Sequence, residues 1–178
     1  KLLAVGRVEP RKGFDTAVRA LAELPDMTLR IVGPGVEDYV AELHALAKEV
    51  GVAGRVTVDH ALPRAQLAAA YAGADALLFP SRWDEPFGLV PLEAMTQATP
   101  IVATRRGGSA EFLTDGLNCL EVPSDDPAAI VTAVRALAKD EALRRRLVNG
   151  GLTTSAAYRI DRFADELERM HLKASRAA

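Results

Sequence analysis

Short apolar runs recur along the chain at intervals: "LLAVG" at 2–6, "LRIVG" at 29–33, "RVTV" at 55–58, "ALLFP" at 76–80, "IVAT" at 101–104 and "CLEV" at 119–122. They are nearly continuous rather than alternating, the pattern of strands covered on both faces. Helix-length segments separate them. Phe14 to Leu24 sets Val18, Leu21 and Ala22 on one face, and Glu37 to Val50 sets Leu43, Leu46 and Val50 at helical spacing. Ala65–Ala72, Val90–Gln97 and Ser109–Leu113 fill the later gaps. A strand–helix order repeated six times predicts parallel strands joined by right-handed crossovers, an α/β doubly wound parallel sheet of about six strands.

After Pro123 the strand pattern ends, and C-terminal helices are expected over 127–140, 141–151 and 158–174. Asp126 before Pro127 is a candidate N-cap, and Gly150-Gly151 a candidate stop. In the last segment Ile160, Phe163, Leu167 and Met170 make an apolar stripe, expected to pack on the domain's own helices or on a partner domain.

Composition adds little to this picture but excludes several classes. With 178 residues, 49% of them hydrophobic, one domain is expected. Net charge is −2 with both signs mixed along the chain, so no basic stripe invites nucleic acid as a partner. The single cysteine, Cys119, has no internal disulfide partner, and no apolar run is long enough to span a bilayer. The chain opens directly in a strand pattern without Met, so a piece of a longer protein is expected.

In open parallel sheets ligands bind beyond the carboxyl ends of the strands. The loops there are "GRVEPRKG", "GPGVED", "DHALPR", "PSRWDEPFG" and "TRRGGSAE". In the first, Arg7 and Lys12 precede a helix start. They suit a phosphate, or are simply two solvated cations. "GPGVED" fails the dinucleotide fingerprint, because Asp38 stands where the last glycine belongs and the first turn lacks the pattern altogether. A nicotinamide-dependent dehydrogenase is disfavoured on that ground. Gly107-Gly108 allows close backbone approach to a ligand, or makes a tight turn. Arg105 and Arg106 read more simply as exposed cations.

In "EPFGLVPLE" two glutamates, Glu85 and Glu93, stand eight positions apart around an apolar segment. Gly88 turns the chain into a helix, Glu85 stays on the loop at the cleft mouth, and Glu93 lies just over one turn into the helix. Carboxylates accept hydrogen bonds only, so a pair of them facing one hollow suits the hydroxyls of a sugar and a ribose. An exposed Glu85 and an Arg-paired Glu93 would read equally well from these residues alone.

Taken together, "VGRVEPRKG", "PSRWDEPFGLVPLEAM", "IVATRRGGSAEFLTDGLN" and the helical tail resemble, in order and over essentially the whole chain, the C-terminal half of family-4-type (group 1) retaining glycosyltransferases of the GT-B fold. The E-x7-E element is the most specific part. The resemblance implies a Rossmann-like nucleotide-sugar (donor)-binding domain spanning 1–178, with an N-terminal acceptor domain lying outside this sequence. It implies that Arg7 and Lys12 hold the donor diphosphate and stabilise it as leaving group. Glu85 would lie near the hydroxyls of the transferred sugar, making Arg7, Lys12 and Glu85 the catalytic set. Glu93 would bind the ribose, the backbone of Phe87, Gly88 and Leu89 would line the pocket, Arg55 and Val56 would border the nucleobase, and Gly107 and Gly108 would turn near the sugar.

The donor implied is a nucleotide-diphospho-sugar such as a UDP- or GDP-sugar. No metal or other cofactor is expected, since no D-x-D is present to hold a divalent ion on the diphosphate. Transfer with retention, metal-independent, is the expected reaction, with the fragment inactive by itself. A non-catalytic nucleotide-sugar-binding module and a GT-B-type epimerase are the alternatives. The expected location is cytoplasmic, peripheral to the inner membrane through the other domain. Two departures stand out: one extra residue between Ser81 and Glu85, and Cys119 where the family often carries glycine.

Overall fold

Six short strands form one parallel sheet: β1 (Leu2–Val5), β2 (Leu29–Val32), β3 (Val56–Asp59), β4 (Ala76–Phe79), β5 (Ile101–Ala103) and β6 (Leu120–Glu121), in the order β3-β2-β1-β4-β5-β6. The structure, a computed structural model, describes residues 1–158 and Glu168. The register is simple: Leu2 pairs with Leu29 on one side and with Ala76 on the other. The expected doubly wound parallel sheet is what forms.

The continuous apolar runs have a clear cause. Successive strand side chains point to opposite faces, and both faces are covered. Leu2, Ala4, Ile31, Leu78 and Val102 join one buried cluster with α1 (Phe14–Leu21), α2 (Glu37–Glu49) and α5 (Pro127–Lys139). Leu3, Val5, Val32, Leu77, Phe79 and Ile101 join the other with α3 (Arg64–Ala72) and α4 (Leu89–Thr96). Asp126 caps α5 as expected, accepting from the Ala129 N–H at 2.9 Å.

Two expectations are corrected. The segment 109–113 is not an α-helix but a single 3-10 turn over Gly108–Glu111. Beyond it, the Asn118 side chain accepts from the Thr114 N–H and donates to the Phe112 carbonyl, satisfying the backbone as a loop. Nor do Gly150 and Gly151 end a helix. They lie inside α6 (Glu141–Ala157), which starts at an Asp140 cap. A Cβ at Gly150 would fall 2.1 Å from the Leu117 carbonyl oxygen, and one at Gly151 would fall 3.0 Å from Met95 Cγ. The glycines therefore let α6 pack closely on α4 and on the loop before β6. The helix expected over 158–174, with its stripe of Ile160, Phe163, Leu167 and Met170, lies outside the described residues apart from Tyr158 and Glu168.

Strand order reverses between β1 and β4, whose carboxyl ends are therefore flanked by loops diverging to opposite sides. That divergence opens a crevice. Gly13 caps α1 in the left-handed region (φ 68), where a Cβ would lie 2.1 Å from the Pro80 carbonyl oxygen. Only glycine lets the loop after β1 sit this close to the end of β4.

Candidate functional site

The loop after β1 and the loop after β4 are stitched together across the crevice. The Arg82 N–H donates to the Arg11 carbonyl at 2.8 Å, and Arg82 Nη1 donates to the Pro10 carbonyl at 2.8 Å. The Arg11 guanidinium lies 4.8 Å above the Trp83 ring. Arg82 also forms a two-pronged ion pair with Asp15 at 2.7 Å, and pairs with Asp125. The Tyr39 hydroxyl donates to the same Asp15 at 3.0 Å. Burial acts to raise the Asp15 pKa, but the Arg82 hydrogen bonds and charge, with the Tyr39 hydroxyl, outweigh it and hold the carboxyl below its ordinary value. The extra residue between Ser81 and Glu85 thus belongs to a loop clasped onto its neighbour by Arg82 and Trp83.

At the centre of this junction Lys12 Nζ donates to Glu85 Oε1 at 2.6 Å, and the Ser81 hydroxyl donates to the same oxygen at 2.8 Å. Glu85 is buried, 8% exposed. A carboxylate so placed needs compensating donors, and a cation plus a hydroxyl supply them. Residues 73 positions apart in sequence thus share one point in the crevice. Arg7, on the same loop as Lys12, projects into solvent and, among the described residues, makes only a loose pair with Glu9 at 3.7 Å. Glu9 is held more firmly by Arg11 at 2.6 Å.

The glycine pair acts on Glu85 itself. Gly107 forms a bridge with Glu85, and the Gly108 N–H donates to the Glu85 carbonyl at 2.6 Å. A Cβ on Gly107 would meet that carbonyl oxygen at 2.5 Å, and one on Gly108 would meet the Pro86 carbonyl oxygen at 2.2 Å. The close approach they permit is to the Glu85 loop. Gly88 (φ 91) then turns the chain into α4, with Leu89 63% exposed at its first position and Phe87 packed on Phe112 and Tyr158. Arg105 and Arg106 are occupied elsewhere: the first donates to the Leu113 carbonyl, the second pairs with Asp84 at 3.1 Å.

Glu93 sits on α4 and is exposed, its Oε2 accepting from the Tyr71 hydroxyl at 2.8 Å. No arginine holds it among the described residues. Tyr71, Ser81 and Arg82 escaped the sequence reading. A signal for Tyr71 existed: it is the only aromatic residue in the "LAAAYAGA" segment.

Arg55 and Val56 are not brought to this crevice. They stand at the start of β3, whose carboxyl end is Asp59, so the length of the strand separates them from the cleft rim. Arg55 donates to the Leu21, Leu24 and Met27 carbonyls, closing the C-terminal end of α1. A cation there complements the helix dipole. On the cleft rim the corresponding residues are Asp59 and His60, which with Gly33, Gly35 and His44 line a hollow of about 290 Å³. Cys119 is fully buried, and its thiol is pushed up to about 12 by that burial and by Asp115, so it is inert packing.

The family model of glycosyl transferases group 1 matches residues 1–153. A D-inositol 3-phosphate glycosyltransferase of Xylanimonas cellulosilytica is 35% identical over 98% of this chain, which covers 42% of that protein. A GDP-mannose-dependent alpha-(1-6)-phosphatidylinositol monomannoside mannosyltransferase of Mycolicibacterium smegmatis is 38% identical over 78% of this chain and 38% of its own length. The crystal structure of Anabaena Alr3699/HepE in complex with UDP superposes with a TM-score of 0.85 at 25% identity, over 98% of this chain and 48% of that one. The chain thus spans less than half the length of each of these proteins. With its parallel sheet, its crevice and the paired Lys12 and Glu85 now in view, the chain belongs to the group 1 family of glycosyl transferases.

Proposed function

We propose that this chain is the donor-binding half of a glycosyltransferase that moves a sugar from a nucleotide-diphospho-sugar to an acceptor held by a second, N-terminal domain. The observation that carries the reading is the 2.6 Å contact between Lys12 and Glu85, which joins a phosphate-type loop to a sugar-type loop at the topological switch point. A lysine ammonium has three N–H donors. One is spent on Glu85, leaving two for diphosphate oxygens, with exposed Arg7 on the same loop free to swing onto them.

On this reading the glycosidic C–O bond breaks, and the electron pair leaves with the diphosphate. Arg7, once swung onto the diphosphate, and Lys12, already held in the crevice, balance that charge, so a divalent metal is not needed for departure. Glu85, held by Lys12 and Ser81, orients the sugar hydroxyls, while Glu93 takes the ribose. The acceptor hydroxyl attacks from the face that the leaving group vacates and passes its proton to the departing diphosphate oxygen as the new C–O bond forms, so configuration is retained without a covalent glycosyl-enzyme. Trapping a sugar adduct on Glu85 would contradict that last step.

UDP and GDP are the leading leaving groups, since the Anabaena neighbour holds UDP and the Mycolicibacterium relative is GDP-mannose-dependent. Calorimetry with each on this chain tests the reading. One of them binds, and Lys12→Ala or Arg7→Ala weakens it by about tenfold or more, the loss expected for a charge-assisted hydrogen bond. Affinity unmoved in both variants would overturn it.

A further inference from the structure

Glu93 is an exposed carboxylate on a helix surface, where a glutamate ordinarily samples several rotamers. Here one of its oxygens is fixed. The Tyr71 hydroxyl donates to Oε2 at 2.8 Å, and Oε1 takes no hydrogen bond among the described residues. Tyr71 itself has nowhere to go: it is 2% exposed and packed in the cluster shared by α3, α4 and the sheet. Its carbonyl accepts from the Thr99 hydroxyl at 2.8 Å and from the Ala74 N–H at 3.0 Å, which ties the end of α3 to the approach of β5. Burial and the neighbouring Glu93 charge push the phenol's ionisation well above its ordinary 10.0, so it stays a donor at any working pH.

We propose that Tyr71 is a positioning residue for nucleotide recognition: its buried hydroxyl holds one oxygen of Glu93 and thereby aims the other at the ribose hydroxyls of the bound nucleotide. The inference rests on the reading of Glu93 as the ribose-binding acid, and it adds a residue of α3 to the site. Packing alone gives a different expectation. A tyrosine needed only for packing could lose its hydroxyl without changing how the protein distinguishes one nucleotide sugar ring from another. A positioning residue could not, because the acid would again share its time among rotamers and each ribose contact would weaken.

The experiment measures, by calorimetry on this chain, the affinity for UDP or GDP, whichever binds more tightly, against its 2′,3′-dideoxy counterpart. The wild type prefers the ribonucleotide. Tyr71→Phe, which keeps the buried ring, reduces that preference by about 3- to 10-fold while leaving affinity for the dideoxy compound unchanged. Glu93→Gln sets the floor, because it removes the charged acceptor itself. Melting curves accompany each variant, and because each preference is a ratio within one preparation, any inactive fraction cancels. A Tyr71→Phe variant that keeps the full wild-type preference, or that weakens both ligands equally, overturns the positioning role and leaves Glu93 in its place. A wild type with no preference for the ribonucleotide overturns the reading of Glu93, and this proposal with it.

Discussion

Lys12 and Glu85 form an ion pair across the switch point at 2.6 Å, with side chains 16% and 9% exposed. Their union closes the loops after β1 and β4 over a shared charge. Lys12→Ala leaves the buried Glu85 carboxylate with the Ser81 hydroxyl as its side-chain partner among the described residues. The expected cost is about 1–3 kcal/mol, the penalty for a buried polar group that loses a partner. Adding Glu85→Gln to Lys12→Ala recovers part of it, since the orphaned charge is gone. Urea midpoints of both single variants and the double check this. Strictly additive losses would mean that the two side chains are not coupled.

Arg55 offers a second test, because its three carbonyl contacts make it a clamp on the end of α1, at the amino end of β3. Arg55→Met is expected to lower stability by about 1–2 kcal/mol, with affinity for UDP or GDP unchanged. A melting point at the wild-type value together with a clear loss of nucleotide affinity would return Arg55 to the binding site.

The same residue marks where sequence reading reached its limit. Leu2–Val5 could be read as a doubly covered strand because burial on both faces leaves a continuous apolar run, a purely local signal. Lys12 and Glu85 could be placed together despite their separation, because both lie in strand-to-helix loops and such loops converge at one rim. For Arg55 the family resemblance and the topology disagree, and topology wins: a residue that begins a strand belongs to the opposite rim. Gly150 and Gly151 read as a stop because their cause is tertiary. The neighbours that demand glycine there, Leu117 and Met95, are remote in sequence. Tyr71 is illegible in the sequence for a similar reason, since its partner Glu93 lies on the following helix.

Asp15 gives a pH-dependent prediction. Its native pKa is held below the ordinary 3.8, so the folded state prefers the ionised form more than the unfolded chain does. The resulting stabilisation is complete above about pH 4–5 and is lost as pH falls from 3.8 through the depressed native value. Asp15→Asn removes the charge at every pH. Its deficit should be about 1–2 kcal/mol near neutrality, a figure discounted because the pair with Arg82 is more than a quarter exposed. The deficit should then shrink as acid protonates the wild-type carboxyl. Urea unfolding of both proteins from about pH 7 to about pH 3 measures the gap. A gap that stays constant or widens in acid would assign the wrong sign to this network.

Gly150→Ala sets helix propensity against packing. In the interior of α6 alanine is favoured over glycine by about 1 kcal/mol on intrinsic grounds. Against that, the new Cβ would lie 2.1 Å from the Leu117 carbonyl oxygen and 2.9 Å from its carbon, both backbone atoms that yield only if the loop moves. Overpacking of this kind costs about 1–3 kcal/mol, so the variant should be destabilised on balance. Gly54→Ala is the contrasting case, since no described atom beyond its own chain neighbours lies within 4 Å of its Cβ and its φ is not positive. It should be neutral or stabilise by up to about 1 kcal/mol through the unfolded chain. Parallel denaturation curves of the two variants decide the matter, and a stabilised Gly150→Ala would mean that α6 does not press on the loop before β6 as closely as described.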